Sequence, residues 1–502
     1  MNALNAIRRA VFPAAELVLG MGIAQFIATA QVYFSNRRLF AQMTAVAAAG
    51  FLPVPNPQVL PRLLDLETAF WGGLFFTLSI GSGLALVSAA AAGLWRRFPS
   101  GRRLTAIGLA AAIAVMAVLL NRRGFDPWAT LYVIAVPPPV FWMATRWGTS
   151  SGTARDGPPL GLRLLPLALL ALGWFTQYDA NLFLDLRDHL LMSNAAGEKV
   201  SAFYYRYTLY PAEVFKTFDQ RQIKTVAWPA GNTDGRQSAV GRELIRLDYL
   251  PVNAAAPADL VLRFDDGDRL TLARGARPVW EGAIGRFLSD PGRAASDISV
   301  RTDRFTVFRA AVYFGVLLAF PITLYVVLFA LVRVVCGIAF TERRAEAAAA
   351  ILCLLVGFAA LADFHLSREG PPPSDATAAA LESDRWQRRV AALKASQARR
   401  WDVCAGPGYA AKLGSPYPQE RYWLARALAA SPNPQASADL IRLMDDPQVN
   451  VRTMAVQALA QRRDPRAVQP ILNLLKTSQE WYVQLYAYRA LRTLQWDQTR
   501  LN

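Results

Sequence analysis

Histidine and cysteine are nearly absent from this 502-residue chain, which has two of the first and three of the second. Cys336, Cys353 and Cys404 form neither a disulfide framework nor a CxxC pair, which excludes zinc ribbons and thiol redox motifs. No GxxxxGK[ST] phosphate loop and no HExxH helix occurs, and Gly20-Met21-Gly22 lacks the third glycine of a dinucleotide fingerprint. Charge is scarce as well. Charged residues make up 18% of the chain against 53% hydrophobic, and the mean hydropathy is +0.20. Such a chain is too apolar for disorder and unusual for a soluble enzyme, so the composition points to a membrane protein.

The net charge of +17 would suggest nucleic acid if it were evenly spread. It is not: residues 1–177 hold 14 Arg and 5 acids, whereas 178–305 hold 17 basic and 17 acidic residues. Arg pairs flank hydrophobic runs in the first region, a pattern that orients helices in a bilayer and argues against a nucleic-acid partner. Seven apolar stretches are candidates for crossing: Pro13–Phe34, Phe70–Trp95, Leu104–Leu120, Trp128–Thr145, Leu160–Phe175, Phe308–Val332 and Ala345–Phe364. The fourth is interrupted by Pro137-Pro138-Pro139. Leu39–Leu52 is apolar but short, and reads as an interfacial or re-entrant helix. Glu16 inside the first run argues for a retained span rather than a cleaved signal.

With the N-terminus cytoplasmic, Arg8, Arg9, Arg96, Arg97, Arg102, Arg103, Arg146, Arg155, Arg163, Arg333, Arg343 and Arg344 fall on the cytoplasmic side. Only Arg37, Arg38, Arg62, Arg122 and Arg123 fall opposite, so residues 178–305 and 365–502 are expected outside a plasma (inner) membrane. Gly81, Ala85, Ala89 and Gly93, at intervals of four on the second span, predict a seam for close helix packing.

Within 178–305, Asp185–Met192, Glu198–Leu209 and the run from Pro211 have helical character. Leu260–Phe264 and Arg269–Leu272, joined by Asp265-Asp266-Gly267-Asp268, read as a hairpin. After Gly370-Pro371-Pro372-Pro373 comes a repeat. Ala427-Leu428-Ala429, Asn433-Pro434 and Leu440–Met444 recur 31 residues later as Ala458-Leu459-Ala460, Asp464-Pro465 and Ile471–Leu475, and Val451-Arg452 recurs 32 residues on as Val483-Gln484. Each unit is a helix, a turn and a second helix, and none can bury its apolar face alone.

Asp446-Pro447, Val451-Arg452, Ala455, Ala458-Leu459, Asp464-Pro465-Arg466-Ala467-Val468 and Leu474-Leu475 resemble the short HEAT repeats of the phycobilisome-lyase type. The resemblance covers two to three repeat periods and implies a protein-binding solenoid, with no chromophore chemistry carried over. Trp423 and Leu424 depart from the pattern where small residues are usual, as expected of a capping repeat.

The expected fold is therefore mainly α: a polytopic helical membrane bundle of about seven spans (1–177 and 306–364), an inserted extracytoplasmic α/β domain (178–305), a Pro-rich linker with a helical lead-in (365–415) and a HEAT-like α-solenoid (416–502). Arg452, Arg466, Trp481, Tyr482 and Tyr486 are the candidates for a partner-binding surface on the solenoid. His189 with Asp188, and His365 with Asp363, each follow an apolar stretch and could form an acid/base or metal cluster at the outer membrane face. Interfacial polar residues with ordinary hydrogen bonds are the simpler reading, and the two imidazoles are expected not to converge. The sequence thus favours a membrane scaffold or accessory subunit without cofactor or metal, partnered by the bilayer and by a protein. The rival is a polytopic enzyme acting on lipid-linked or envelope substrates.

Overall fold

The computed structural model describes residues 3–149, 160–179, 181–229, 235–265 and 268–498. Arg155, the hairpin turn Asp266-Gly267 and the terminal Asn502 lie outside the described residues. The protein is mainly helical and divides into two compact units. The first comprises residues 1–34, 66–182 and 303–365, and the second comprises 35–65, 183–302 and 366–502. The chain therefore passes between the units five times.

In the first unit, helix α1 (Ala3–Ala48) contributes its N-terminal part. It is followed by α2 (Leu66–Phe76), α3 (Ser82–Arg97), α4 (Arg102–Asn121), α5 (Pro127–Ala135), α6 (Pro137–Thr149) and α7 (Leu160–Phe175). Among the described residues, six helices or helix pairs are long and apolar enough to cross a membrane: Ala14–Ala48, Leu66–Arg97, Arg102–Asn121, Pro127–Arg146, Thr306–Ala339 and Glu342–Ser367. The fifth expected span falls short of that measure. Helix α7 has 16 residues, a rise of about 24 Å against a hydrocarbon core of about 30 Å.

Leu39–Leu52 also differs from expectation. It forms no separate interfacial or re-entrant helix, because α1 runs unbroken for 46 residues and carries this stretch into the second unit. The polar run Ser35-Asn36-Arg37-Arg38 interrupts the hydropathy, but nothing in it breaks a helix, and Asn36 is fully buried.

Small residues bring the first unit's helices together. A Cβ placed on Gly81 would lie 2.5 Å from the Ala24 Cβ, and one on Gly20 would lie 2.6 Å from the Ala85 Cβ, so the expected seam is used at Gly81 and Ala85. Gly93 faces open space. Two π-turns, Thr77–Gly81 between α2 and α3 and Gly315–Ala319 further on, meet each other. Only a glycine at 315 permits this, since a Cβ there would run into the Ser79 carbonyl. The polar groups of α1 find separate partners: Gln25 accepts from Thr77 Oγ1 at 2.7 Å, and Gln31 accepts from the Tyr132 hydroxyl at 3.1 Å.

After residues 35–65, the second unit continues through α8 (Leu182–Leu186), a π-turn over Arg187–Leu191, α9 (Ala195–Tyr207) and α10 (Leu209–Phe215). A five-stranded sheet follows, built from β1 (Lys224–Trp228), β2 (Tyr249–Asn253), β3 (Leu260–Asp265), β4 (Arg269–Arg274) and β5 (Arg277–Ala283) in the order β2-β1-β3-β4-β5. Strands β2 and β3 run parallel to β1, and α11 (Gly235–Arg246) makes the β1-to-β2 crossover. The expected hairpin is β3–β4, antiparallel, with Leu262 opposite Leu272. Helices α12 (Ile284–Ser289) and α13 (Pro291–Thr302) complete a core containing Val226, Leu244, Leu260, Leu272 and Phe287.

After α14 (Thr306–Phe314), α15 (Phe320–Ala339) and α16 (Glu342–Ser367), the chain enters the second unit for the last time. There α17 (Thr377–Leu381), α18 (Trp386–Arg399), α19 (Tyr409–Leu413), α20 (Pro418–Ala430), α21 (Gln435–Leu443), α22 (Val449–Arg462), α23 (Val468–Thr477) and α24 (Trp481–Thr493) form the repeats. Helices α18, α20, α22 and α24 stack in series, with α21 packed on α22 and α23 on α24. Ala427-Leu428, Ala458-Leu459 and Ala490-Leu491 are all buried along this ladder. Helix α18 stacks on α20 as α20 does on α22, so the ladder starts earlier than residue 416. It closes on Arg400 in the left-handed region (φ 53°), as α22 closes on Arg463 (φ 54°).

Candidate docking surface on the repeat ladder

One arginine recurs along the ladder. Arg389, Arg421 and Arg452 stand 32 and 31 residues apart, and each reaches forward to an acid at the start of the next unit. Arg389 pairs with Glu420 through Nε and Nη2 at 2.8 and 2.9 Å, Arg421 pairs with Asp446, and Arg452 pairs with Glu480. The forked guanidinium makes each pair two-pronged where both oxygens are in reach. At the next position, 32 residues on, Gln484 replaces arginine. Here the Gln484 Oε1 accepts from the backbone N–H of Asn56 at 2.8 Å. The Asn56 amide in turn donates to the carbonyls of Leu475 (3.0 Å), Lys476 (3.1 Å) and Ser478 (2.9 Å). The end of the ladder is thus closed by a segment that lies 428 residues earlier in the chain.

The other end holds the Asp/His segment. Asp188 is fully buried, accepts from Arg187 Nε and Nη2 at 2.8 and 2.6 Å, and accepts from the Trp423 indole N–H at 2.7 Å. The Gln419 amide donates to the backbone carbonyls of Asp188 and Met192 at 3.0 and 2.8 Å. Asp185 meets Lys394 of α18 at 2.8 Å and Arg368 at 2.9 Å. The Arg187 guanidinium lies 3.8 Å from the centre of the Tyr422 ring. Burial alone would weaken the hold of Arg187 on its proton, but Asp188 beside it, Tyr422 and Tyr205 together outweigh burial and raise its pKa. The His189 ring lies against Trp386 at 5.3 Å between centroids, and burial lowers its pKa below the usual 6.5. His365 and Asp363 belong to the first unit and are exposed, and His365 Nδ1 lies 3.0 Å from Gln177 Oε1. Among the described residues no group of three or more His, Cys, Asp and Glu could hold a metal ion.

The aromatic candidates are occupied from within the chain. Trp481 is buried and packs edge-on against Tyr210 at 5.1 Å, Tyr482 meets Tyr205 of α9 at 4.8 Å, and Tyr486 lies beside Tyr482 at 5.3 Å. Nothing in the repeat sequence could show this, because the covering residues lie some 270 positions upstream. Arg452 is likewise engaged by Glu480, which leaves Arg466, exposed beside Asp464, as the one candidate on open surface. Further exposed basic side chains line the ladder at Arg442, Arg463, Lys476 and Arg489.

The sheet is tied in by two acids, Asp259 buried and Asp248 half-buried. Asp259 accepts from Gln42 Nε2 of α1 at 3.0 Å, from Arg221 Nη1 at 2.8 Å and from the Thr225 N–H at 3.2 Å. Burial pulls its pKa up, and these donors together hold it below the ordinary 3.8. Asp248 accepts from the Tyr488 hydroxyl at 2.5 Å and pairs with Arg492, fixing α24 to the end of α11. Hydrophilic anchors thus join α1, the sheet and the repeats inside one unit.

Gly148-Thr149-Ser150-Ser151-Gly152 has the spacing of a nucleophile elbow. That motif requires a strand before the serine, whereas α6 precedes it here, and Ser150 itself lies outside the described residues.

Residues 407–492 match the family of HEAT repeats. No curated protein and no solved structure matches the chain. The class defined by fold and family is thus a mainly helical protein with six apolar helices of membrane-crossing length, a small mixed sheet and a C-terminal HEAT-repeat region.

Proposed function

We propose that the protein is a membrane-anchored scaffold or accessory subunit whose second unit, on the outer side of a plasma membrane, docks a protein partner through exposed basic residues of its HEAT ladder. One observation carries the reading: the ladder is built into the second unit by the very segments that lead to and from the apolar helices. Passages between the units fall at 34/35, 65/66, 182/183, 302/303 and 365/366; the first lies within the long helix α1, and the others lie within a few residues of the end of an apolar helix. The turns of the first unit away from these passages carry Arg96, Arg97, Arg102 and Arg103, then Arg343 and Arg344, as cytoplasmic loops do. HEAT repeats are protein-binding solenoids, and charged residues at an interface rim steer association.

The enzyme reading loses support from the same geometry. The carboxylates of Asp185 and Asp188 are saturated by Lys394, Arg368, Arg187 and Trp423, which leaves little for proton transfer.

The test is purification of the full chain in mild detergent, beside an Arg463→Glu/Arg489→Glu variant. A stoichiometric protein that accompanies the native chain and is lost from the variant, at equal membrane yield, is the expected result. An unchanged partner, or none, counts against docking through these residues. Reporter fusions after Gly235 and Asn502 check sidedness, and a cytoplasmic signal from either would show that the span count or the orientation is wrong.

A further inference from the structure

We propose that α9 is an interfacial anchor, with its Val200, Phe203 and Tyr204 face seated at the headgroup and acyl boundary of the bilayer. The inference rests on the membrane reading above.

It starts from where the second unit leaves large apolar side chains exposed. Four of those among the described residues, Leu64, Phe183, Val300 and Leu366, lie within three residues of a passage to the apolar helices. A fifth, Tyr417, stacks on Trp386. The remaining three are all on α9: Val200 is 56% exposed, Phe203 36% and Tyr204 51%. Their spacing of i, i+3 and i+4 places them on one face of a 13-residue helix. Apolar exposure in this unit is therefore confined to the membrane passages and to this face, and α9 begins 12 residues after one of the passages.

The chemistry of the face fits a lipid surface. Lys199 and Arg206 are exposed and share a ridge with Phe203 at i−4 and i+3, so cations flank the apolar patch as anionic headgroups require. Tyrosine suits a boundary that is apolar on one side and wet on the other. The side of α9 turned away from Phe203 is already used: Gly197 and Ser201 are buried and Tyr205 meets Tyr482, while Tyr207, buried at i+4 from Phe203 and 4.8 Å from its ring, closes the patch at its C-terminal end. The helix would thus connect the repeat ladder to the bilayer surface.

The test uses the full chain in nanodiscs of phosphatidylcholine and phosphatidylglycerol. A bimane label is placed at Val200→Cys, at Leu355→Cys on α16 and at Gln457→Cys on the ladder, in a background with the three native cysteines replaced by alanine. Nitroxide lipids are the quencher. Fluorescence loss at position 200 comparable to that at 355, with none at 457, is the expected result. Loss at 355 but not at 200 overturns the anchor and leaves the membrane reading intact, whereas no loss at 355 overturns the membrane reading itself. Should the cysteine-free background misfold, benzoylphenylalanine at Tyr204 in the otherwise native chain replaces the label, with the same substitution at Leu355 as control. A lipid adduct from 204 supports the anchor. A protein adduct, or no lipid adduct while 355 yields one, overturns it.

Discussion

Replacing Asp188 by alanine should open the seat of residues 185–192 on the ladder while leaving the rest of the repeats closed. The carboxylate is fully buried, and its partner Arg187 is only 12% exposed. Removing the acid leaves a buried guanidinium with the Tyr422 ring and no counter-charge, a change that typically costs about 3–5 kcal/mol. It also strands the Trp423 indole N–H, worth about 1–3 kcal/mol on its own. One carboxylate serves both donors, so the two costs do not simply add. A net loss of about 4 kcal/mol corresponds to a roughly thousandfold rise in local opening. Hydrogen exchange of the full chain reads this directly, as lost protection in 185–192 and in the first turns of α20. Peptides from α22 and α24 should keep native protection, which separates local opening from collapse. Asp188→Asn, which still accepts from Trp423 but carries no charge, should fall between the two. Native protection at 185–192 in Asp188→Ala would refute the reasoning, because it would mean that this cluster does not hold the segment to the repeats.

Two further outcomes follow from particular contacts. Gly315→Ala should lower the yield of monodisperse protein and its thermal stability in detergent, because the added Cβ meets the Ser79 carbonyl, whereas Gly22→Ala, with open space at its Cβ, should behave as native. For His189, the folded pKa lies below 6.5, so the folded state favours the neutral ring. Stability is unaffected above pH 6.5 and falls as pH drops through 6.5 toward the folded value, where the unfolded chain binds the proton first. The opening constant of 185–192, corrected for intrinsic exchange, should rise over that window in the native chain and stay flat in His189→Phe. A native chain without this rise would show that the burial of the ring does not perturb it.

The parts that were legible in the sequence are those encoded locally. Hydropathy located the six long apolar helices, the alternation around Asp265–Asp268 located β3 and β4, and the recurrence of Ala-Leu and Asp-Pro located the repeats. What stayed hidden depends on pairs distant in the chain. Asp188 and Trp423 are 235 residues apart, so neither the acid nor the indole announced its partner. A trace was nevertheless present: Trp423 breaks the small-residue pattern of the repeat, and this break is where Asp188 is received. Helix α18 was missed as a ladder member because its Ala-rich sequence lacks the Asp-Pro turn, although Arg389 stands one period before Arg421 and Arg400 two periods before Arg463. The polar run after Phe34 was read as the end of a helix for a related reason. Arg38 and Gln42 look like solvent-facing residues until Asp259, 217 residues beyond Gln42, supplies their counter-charge and acceptor.

The arginine series explains why the ladder stops where it does. A repeat array is a sum of units and interfaces, and its last unit would present an unsatisfied face unless something covers it. Arg389, Arg421 and Arg452 each meet an acid of the following unit, whereas position 484 faces the Asn56 backbone, and an arginine there would leave a charge in a fully buried site. A neutral amide solves this. Gln484 donates to the Ser478 carbonyl at 2.8 Å and accepts from the Asn56 N–H, so the cover is made of backbone rather than of another helix pair. Because that backbone sits between the first two apolar helices in sequence, the ladder cannot fold to completion as a detached C-terminal arm. It is finished only by the segment that joins those helices, which makes the HEAT region a structural part of the second unit and not an independent arm.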